Sequence, residues 1–516
     1  YLNKGEKNMN YDWIKTRATF DDNKAAVIDP FKGTEWSYKD LNIRAENLAN
    51  YLQDQGIKRG DVVGVFTPND VALLDLMFAS FKLGAVYLPI NWRLKTQEIE
   101  SVITDSNVKL IFYAEKHVSS LEGVADELLH MDIDSKVYDD IVDPTQHRPF
   151  NTVSVEGSDL ASLMYTSGTT GLPKGVMFSY DSFVNNPINI ALTYKINSTY
   201  TTIISTPMFH VLGFNDLTLP LLMAGGTLIL QRYFNGESLN DLMAQYQPNY
   251  LIQIPTMYYA MLVAENFDLK NFESVDFLIQ GGSAPLPMVQ KKFNSMGYSI
   301  INGYGLTEAP LVMVNTPENG AQKPGSIGQP VMFMDICIFD NNLDEVEVGE
   351  IGELGIRGNN VTPGYWNKPE ETAKTFHGEY FLTGDLAKVD EDGDVYIVDR
   401  RKEMIITGGE NVLPSEVEAV LSEHPLVAQG VVVGYDSPKY GESVSAAVVL
   451  TEDDPDFEQK LDKHMRENIA GYKIPRLYLK LTHMPLNSTS KADKLELKKY
   501  MNDKAQKLAQ GKDELN

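Results

Sequence analysis

The chain has 516 residues, of which 43% are hydrophobic and 22% charged, and its formal net charge is −26 at pH 7. This length predicts roughly two to four domains, and the composition is ordinary for a globular protein. A surface this negative repels nucleic-acid phosphates and anionic lipid headgroups, so neither is an expected partner. We therefore expect any bound anion to be held by backbone N–H groups and a few placed cations.

Sequence features that would indicate export or membrane insertion are missing. Residues 1–20 are polar and contain no apolar core of a signal peptide. The longest apolar run, residues 217–230, is interrupted by Pro220 and is too short to cross a bilayer, so we predict that it belongs to a core. The lone cysteine, Cys337, cannot form an intramolecular disulfide and suits a reducing compartment. We expect a cytoplasmic protein without an integral membrane segment.

The first part of the chain alternates helical and strand patterns. The predicted elements are a helix over residues 41–52, a strand over 61–66, a helix over 71–82 and a strand over 85–90. Gly56 and Gly84 stand where the two helices would end. The alternation continues to about residue 330 and predicts a layered α/β architecture.

Beyond residue 330 the pattern changes to short strands. They are predicted at residues 336–339, 351–357 and 395–398, with Asp392-Gly393 as a hairpin turn. After the charged residues 399–403, a helix begins at Pro414 and strands follow at 429–433 and 444–450. We predict an N-terminal domain over 1–399, with a β-rich subdomain over about 331–399, a hinge at 400–402 and a small C-terminal domain over 403–516.

The most informative segment is Tyr165–Gly175, which follows an apolar run, residues 160–164, that is typical of a strand. Its glycines let successive N–H groups face an anion, and its hydroxyls and lysine add donors. It is not a Walker A loop, because no Lys-Ser/Thr pair closes it. A flexible turn is the alternative interpretation. The candidate phosphate-binding residues are Thr166, Ser167, Gly168, Thr169, Thr170, Gly171 and Lys174.

Further motifs follow this loop in a defined order. They are Gly281–Pro285 (GGSAP), Gly303–Glu308 (GYGLTE), Tyr380–Asp385 (YFLTGD), Asp399–Lys402 (DRRK), Thr407–Asn411 (TGGEN) and Pro485–Lys491. With the loop, they resemble the adenylate-forming (ANL) superfamily of acyl-CoA synthetases, peptide-synthetase adenylation domains and luciferases. The resemblance covers nearly the whole chain. It implies an α/β fold with a large N-terminal domain of mixed sheets layered with helices, a β-rich subdomain, and a small mobile α+β C-terminal lid.

The resemblance also implies a nucleotide site. Glu308 would hold Mg²⁺ and Thr307 would serve the α-phosphate. Asp385 would accept the ribose hydroxyls, and Arg400 would contact the nucleotide, although an ion pair of Arg400 with a neighbouring acid is the alternative. Tyr304 offers a ring face to adenine and a core tyrosine is the alternative. The remaining ATP/AMP candidates are Gly282, Ser283, Ala284, Asn302, Gly303 and Gly305, and for Asn302 a structural role is equally open.

The C-terminal part would supply a second set of residues. Lys491 matches the lysine that stabilises charge developing on the carboxylate and α-phosphate oxygens. The resemblance implies that it would act as a catalytic residue together with Thr307, Glu308 and His210. Ser490 stands before it where the family usually has glycine. Lys402 falls at the hinge position. Gly408, Gly409 and Glu410 would approach the thiol of coenzyme A after the lid rotates.

The acyl pocket is predicted from residues 207–214 and the strand end at Gly281. Its candidate residues are His210, Val211, Gly213, Phe214 and Gly281. His210 is interpreted as a gate to the thiol tunnel, with a packed core histidine as the alternative. Residues 209–215 contain no lysine or arginine, so we expect an apolar acid, aliphatic or small aryl. Tyr365 and Trp366 are interpreted simply as packing.

These expectations combine into one function. The chain is expected to be an AMP-forming acyl-CoA synthetase that uses ATP, Mg²⁺ and coenzyme A to activate an apolar carboxylic acid, first of all a fatty acid. The alternatives are an aryl-CoA ligase of coumarate or succinylbenzoate type, a stand-alone adenylation enzyme that loads a carrier protein, and a catalytically silent nucleotide-binding regulator. A homodimer is a possible assembly.

Overall fold

The computed structural model describes residues 11–123, 127–166, 173–283, 285–316, 322–487 and 491–509. The chain forms two compact units. One comprises Tyr1–Ile336 with Ile356–Phe381, and the other comprises Cys337–Gly355 with Leu382–Asn516. A rotation at residues 400–402 stays a prediction.

The first unit contains a nine-stranded sheet. Its strand order is Gln329–Pro330, Met313–Val314, Ile300–Tyr304, Phe277–Gln280, Tyr250–Gln253, Thr201–Ile204, Thr227–Leu230, Ala25–Asp29 and Thr34–Ser37. The six strands from Ile300–Tyr304 to Ala25–Asp29 pair in parallel, whereas the pairs at both edges are antiparallel. Parallel strands bring their carboxyl ends to one edge of the sheet, which is where loops of α/β folds bind ligands.

A six-stranded sheet accompanies it in the same unit. Its order is Leu129–Asp132, Leu110–Tyr113, Val62–Phe66, Val86–Ile90, Leu160–Thr166 and Lys174–Ser179. The strands pair in parallel except for the last two, which form an antiparallel pair. All residues of Val62–Phe66 and Val86–Ile90 are buried, as the continuous apolar runs of central parallel strands require.

Helices of the first unit connect these strands. Their bounds are Trp13–Phe20, Tyr38–Asp54, Val71–Leu83, Thr96–Ser106, Lys136–Val142, Tyr180–Thr193, Val211–Gly213, Leu219–Ala224, Gly236–Tyr246, Pro255–Val263, Pro287–Ser295 and Pro369–Lys374, with 3₁₀ turns at Glu115–Ser120 and Leu269–Phe272 and a π-helix at Phe214–Thr218. Ser37 and Asp40 form a capping box, and Gly84 ends its helix with φ at +72°. The predicted helices over 41–52 and 71–82 are confirmed.

The predicted β-rich region forms a five-stranded sheet. Met334–Phe339, Gly352–Gly358, Tyr380–Val389 and Phe376–His377 lie in this order, and Val395–Arg400 pairs with Tyr380–Val389. Val389 lies opposite Val395 across the predicted hairpin, and Gly393 has φ at +87°. The strands predicted from residue 336 onward are confirmed to within two residues at most ends.

The second unit has a compact α+β core. Its sheet has the order Glu410–Val412, Ile405–Thr407, Gly441–Leu450 and Val427–Ser437, and Leu477–Leu481 pairs in parallel with Gly441–Leu450. Helices Pro414–Ser422, Phe457–Asn468 and Lys494–Ala509 and a 3₁₀ turn at Arg401–Glu403 complete it. Val417, Leu421, Val432 and Leu461 pack together in its interior. The predicted helix start at Pro414 is confirmed.

The longest apolar run of the sequence is part of a core, as predicted. Residues 217–230 comprise the last two residues of the π-helix, the helix Leu219–Ala224 and the strand Thr227–Leu230, and their leucines are almost entirely buried. Within the residues that the structure covers, no helix combines the length and the apolar character needed to cross a bilayer.

Candidate active site

Two predicted glycine motifs meet at the carboxyl edge of the nine-stranded sheet. Gly281, Gly282 and Ser283 follow the strand Phe277–Gln280, whose neighbour is Ile300–Tyr304. The approach is close, because a Cβ atom on Gly281 would lie 3.1 Å from the carbonyl oxygen of Gly303. Gly282 has φ at +77°, a conformation that favours glycine. The fold therefore places these motifs side by side.

The turn after Tyr304 carries the predicted metal ligand. A Cβ on Gly305 would lie 2.4 Å from the backbone nitrogen of Leu311, so only glycine fits there. Thr307 and Glu308 are half-buried within this turn. The backbone N–H of Thr362 donates to the carbonyl oxygen of Glu308 at 2.7 Å, which ties the turn to a distant segment of the same unit.

Asn302 has protein partners on both sides of its amide. Its Oδ1 accepts from Gln280 Nε2 at 3.0 Å, and its Nδ2 donates to the carbonyl oxygen of Ser326 at 3.2 Å. An adenine edge would have to share or replace one of these bonds. The structural interpretation therefore gains support at Asn302, and its adenine contact stays a prediction.

The predicted phosphate loop joins two antiparallel strands. Thr166, at the end of one, lies opposite Lys174, at the start of the next. Lys174 forms an ion pair with Glu371, and its ammonium lies 5.7 Å from the centre of the Tyr365 ring. Ser167, Gly168, Thr169, Thr170 and Gly171, as well as Ala284, lie outside the described residues.

Tyr365 corrects the sequence interpretation. Its hydroxyl donates to Glu308 Oε1 at 2.7 Å, so the side chain does more than pack. Burial and the negative charge of Glu308 raise the pKa of Tyr365, which keeps the hydroxyl protonated as a donor. Trp366 also does more than pack, since its Nε1 donates to the carbonyl oxygen of Asp105 at 3.0 Å. Nothing in the residues around Tyr365 signalled this contact, because its partner is far away in sequence.

Glu308 suits Mg²⁺ only as one of several ligands. Among the residues for which the structure gives positions, no group of three or more His, Cys, Asp or Glu side chains could hold a metal ion. Mg²⁺ in nucleotide sites is bound by one or two carboxylates together with phosphate oxygens and water. One oxygen of Glu308 accepts from Tyr365, and the carboxylate has lone pairs beyond that bond. These residues therefore fit a magnesium ion that arrives with ATP.

The predicted acyl wall and floor meet at Leu212. Leu212 Cδ1 lies 3.8 Å from where a Cβ on Gly281 would be. Gly213 is required by close packing, because a Cβ there would lie 2.3 Å from the carbonyl oxygen of Pro207. Phe214 is fully buried and stacks on Tyr87 with ring centres 5.5 Å apart. The wall at this point is apolar.

The two remaining wall candidates are less deeply buried. His210 is half-buried, and its ring centre lies 4.4 Å from that of Phe209. Val211, also half-buried, begins the short helix that follows it.

A buried carboxyl group lies just beyond this wall. Asp216 is in the π-helix, and burial raises its pKa to about 7, while a bond donated by Asn186 Nδ2 at 2.7 Å acts in the opposite direction. Sequence reasoning missed this residue, which stands next to an apolar run. Ionising a buried carboxyl group costs free energy, because the charge loses its hydration. The free energy of unfolding should therefore depend on pH through Asp216.

In the second unit, Asp385 and Arg400 are cross-strand partners. They lie opposite each other on Tyr380–Val389 and Val395–Arg400, and Arg400 Nε is 2.9 Å from Asp385 Oδ1. Asp385 is only 3% exposed. The preceding Gly384 has φ at +73° and donates its N–H to Glu353 Oε1 at 3.1 Å. Two residues that are predicted to bind the nucleotide are thus adjacent.

Lys491 lies in the electrostatic field of this pair. Loss of water lowers the pKa of Lys491, and the positive charge of Arg400 lowers it further, whereas Asp385 and Glu403 act in the opposite direction. By surface area Lys491 is an exposed residue. Its backbone forms a turn with Asn487, which accepts from the Lys491 N–H at 3.0 Å. Ser490 lies outside the described residues.

The predicted thiol-facing residues form a tight hairpin. Gly408 and Gly409 have φ at +61° and +90°, as a type I′ turn requires, and connect Ile405–Thr407 with Glu410–Val412. Both glycines and Glu410 are exposed. Lys402 is exposed in the 3₁₀ turn Arg401–Glu403.

Comparison with known proteins identifies the family. A family model described as AMP-binding enzyme matches residues 14–366, and one described as AMP-binding enzyme C-terminal domain matches residues 416–491. The chain belongs to the AMP-binding enzymes of the ANL superfamily, in the acyl/aryl-CoA synthetase branch. It is an AMP-forming carboxylate–CoA ligase.

Relatives of this branch match along nearly the full chain. A feruloyl-CoA synthase of Amycolatopsis sp is 33% identical over 94% of this chain and 98% of the relative. A long-chain-fatty-acid–CoA ligase of Mycobacterium tuberculosis is 31% identical over 95% and 98%. The crystal structure of ATP-bound MatB from Rhodopseudomonas palustris matches with a TM-score of 0.88 at 28% identity, covering 96% of this chain and 99% of that one. The predicted fold class and enzyme class are confirmed.

Proposed function

We propose that this ligase activates an apolar carboxylic acid, first of all a fatty acid, as its acyl-adenylate and transfers the acyl group to coenzyme A. The observation that carries the proposal is the convergence of Asp385, Arg400 and Lys491 in the second unit. They come from separate motifs, yet their charges act on one another. A carboxylate, a guanidinium and an ammonium together suit a ribose and the α-phosphate attached to it.

The first unit contains further residues that we assign to the phosphates of ATP. Thr166 and Lys174 lie at the two ends of the loop that we assign to the β- and γ-phosphates, and Thr307 is assigned to the α-phosphate. Mg²⁺ bound at Glu308 would neutralise charge on the phosphate oxygens and on the leaving pyrophosphate. Lys174 is an ion-pair partner of Glu371 in the structure, so a phosphate would compete with that carboxylate.

The reaction would proceed in two displacements. A carboxylate oxygen of the substrate attacks the α-phosphorus of ATP, the bond to the bridging oxygen breaks, and pyrophosphate leaves with the electron pair. Coenzyme A, as its thiolate, then attacks the acyl carbonyl carbon, and AMP leaves as the carbon–oxygen bond breaks. Lys491 would serve the first displacement and Gly408–Glu410 the second. Positioning and charge neutralisation supply the catalysis, because no covalent enzyme intermediate is needed.

The wall of the acyl pocket supports an apolar substrate. Val211, Leu212 and Phe214 contribute hydrocarbon, and Ile254 Cγ2 lies 3.4 Å from where a Cβ on Gly282 would be. An aryl acid is the second candidate, favoured by the feruloyl-CoA synthase at 33% identity. Cytoplasmic location and a homodimer stay predictions.

A pyrophosphate-release screen would test the proposal. The enzyme is incubated with ATP, Mg²⁺ and single acids, namely saturated fatty acids of increasing length, hydroxycinnamates and benzoates, each with and without coenzyme A. We expect fatty acids to give the highest turnover, and turnover to require the thiol. Preference for hydroxycinnamates would replace the fatty-acid proposal with the aryl one. Release of AMP that is independent of coenzyme A for every acid would indicate a carrier-loading adenylation enzyme instead.

A further inference from the structure

Tyr365 links the predicted metal ligand to the strand that carries the phosphate-loop lysine. Its hydroxyl donates to Glu308 Oε1 at 2.7 Å, and its ring lies 5.7 Å from the ammonium of Lys174. Tyr365 is 9% exposed, so its hydrogen bond is largely shielded from competing water. Three side chains from three segments of the first unit thus contact one another in series.

The backbone around Tyr365 is fixed to that same strand. Tyr365 pairs with Val176 as an isolated β-bridge. The N–H of Trp366 donates to the carbonyl oxygen of Gly175 at 2.8 Å, and the N–H of Met177 donates to that of Gly364 at 3.0 Å. The backbone of Tyr365 therefore cannot shift without moving the strand that begins at Lys174.

Glu308 is bound to this segment at two points. Its side chain accepts from Tyr365, and its carbonyl oxygen accepts from the backbone N–H of Thr362 at 2.7 Å. A glutamate on an exposed turn samples several rotamers and loses this freedom when a cation binds. A hydroxyl donor that fixes one carboxylate oxygen orders the side chain in advance, so it reduces the entropic cost of cation binding. The other carboxylate oxygen stays available for the cation.

We propose that Tyr365 is a positioning residue for adenylation, which holds the carboxylate of Glu308 in the orientation that binds Mg²⁺ with ATP. The inference rests on the proposed function, since it takes Glu308 as the magnesium ligand. Partners that orient a metal-binding carboxylate typically change metal affinity by roughly 10- to 100-fold when they are removed.

The test is Tyr365→Phe, which removes the hydroxyl and keeps the ring beside Lys174. ATP binding is measured by isothermal titration calorimetry over a series of Mg²⁺ concentrations and in EDTA, without a carboxylic acid, so that no turnover occurs. We expect the Mg²⁺ concentration for half-maximal enhancement of ATP binding to rise about tenfold. ATP affinity in EDTA should match wild type. Tyr194→Phe is the matched control, because the Tyr194 hydroxyl is buried with no hydrogen-bond partner in the part of the chain that the structure describes.

The variant Glu308→Gln distinguishes a failure of the inference about Tyr365 from a failure of the proposed role of Glu308 as the magnesium ligand. If Glu308→Gln raises the Mg²⁺ requirement and Tyr365→Phe does not, Tyr365 only packs and the inference is wrong. If neither variant changes the requirement, Glu308 is not the ligand, and this part of the proposed function fails together with the inference. An equal loss of ATP affinity with and without Mg²⁺ in Tyr365→Phe would indicate a general disturbance of the site and would also overturn it.

Discussion

Lys491→Ala isolates the residue that we assign to the first half-reaction. The side chain is exposed, so its truncation should change the free energy of unfolding by no more than about 0.5 kcal/mol. What it removes is an ammonium in the field of Asp385 and Arg400. One donor aimed at developing charge is typically worth about 2.7–4 kcal/mol, or ~10²–10³ in rate. We expect a loss of this size in adenylate formation.

The two half-reactions are measured separately. Adenylate formation is followed by pyrophosphate release, and thioester formation is followed from pre-made acyl-adenylate and coenzyme A. Thioester formation should stay close to wild type, because Lys491 acts before the adenylate exists. Lys499→Ala, which truncates an exposed lysine on the helix Lys494–Ala509, should leave both rates unchanged. Equal losses in both half-reactions of Lys491→Ala would refute the assignment.

The pH dependence provides a second measurement on the same residue. Loss of water and the positive charge of Arg400 lower the pKa of Lys491 below its ordinary value of 10.5, against the opposing charges of Asp385 and Glu403. Only the protonated form stabilises negative charge, so adenylation should fall as pH rises through this lowered pKa. Lys491→Arg should move that alkaline decline to higher pH, since a guanidinium stays protonated. A decline that is unchanged in this variant would assign it to another group.

Three further predictions test the hinge, the glycine turn and the buried acid. Lys402→Pro should impair thioester formation more than adenylation, because proline fixes φ near about −65° and restricts rotation; proportional losses in both would argue against a hinge. Gly305→Ala should abolish adenylation and lower the thermal midpoint, since its Cβ would meet the Leu311 nitrogen at 2.4 Å; near-normal activity would contradict the close contact. For Asp216→Asn, the free energy of unfolding relative to wild type should increase by about 4 kcal/mol as pH rises from about 4 to 7, and the difference should stay constant at higher pH. Chemical denaturation over this pH range measures it. The sign follows because a raised folded pKa penalises ionisation in the folded state, and a difference that does not vary with pH would show that Asp216 ionises normally.

Much of the fold was predictable because its signals are local. The helix Val71–Leu83 ends at a glycine with positive φ, and the hairpin at Gly393 follows from its turn residues. The strand predicted over residues 160–164 is confirmed and extends to residue 166, before the phosphate loop. Hydrophobic periodicity, helix caps and turn residues act over a few neighbouring positions, so they can be recognised directly in a short stretch of sequence.

The candidate site was predictable only as a set of motifs. Their family resemblance indicated which residues take part, yet the contacts among those residues depend on strand register. Asp385 meets Arg400 because the pairing of two strands places them opposite each other. The roles of Lys491 and of the hinge at Lys402 stay predictions.

By itself, the sequence determined the order of elements, the apolar core segments and the chemistry of the family. Only the tertiary structure decided that Tyr365 binds Glu308, that both amide ends of Asn302 have protein partners, and that Asp216 is buried with a pKa near 7. Each of these depends on side chains that are distant along the chain. Periodicity and capping specify the backbone conformation of a residue and the face of the element on which it lies. Its side-chain partner across the fold is set by how whole helices and strands pack, and no short stretch of sequence encodes this packing.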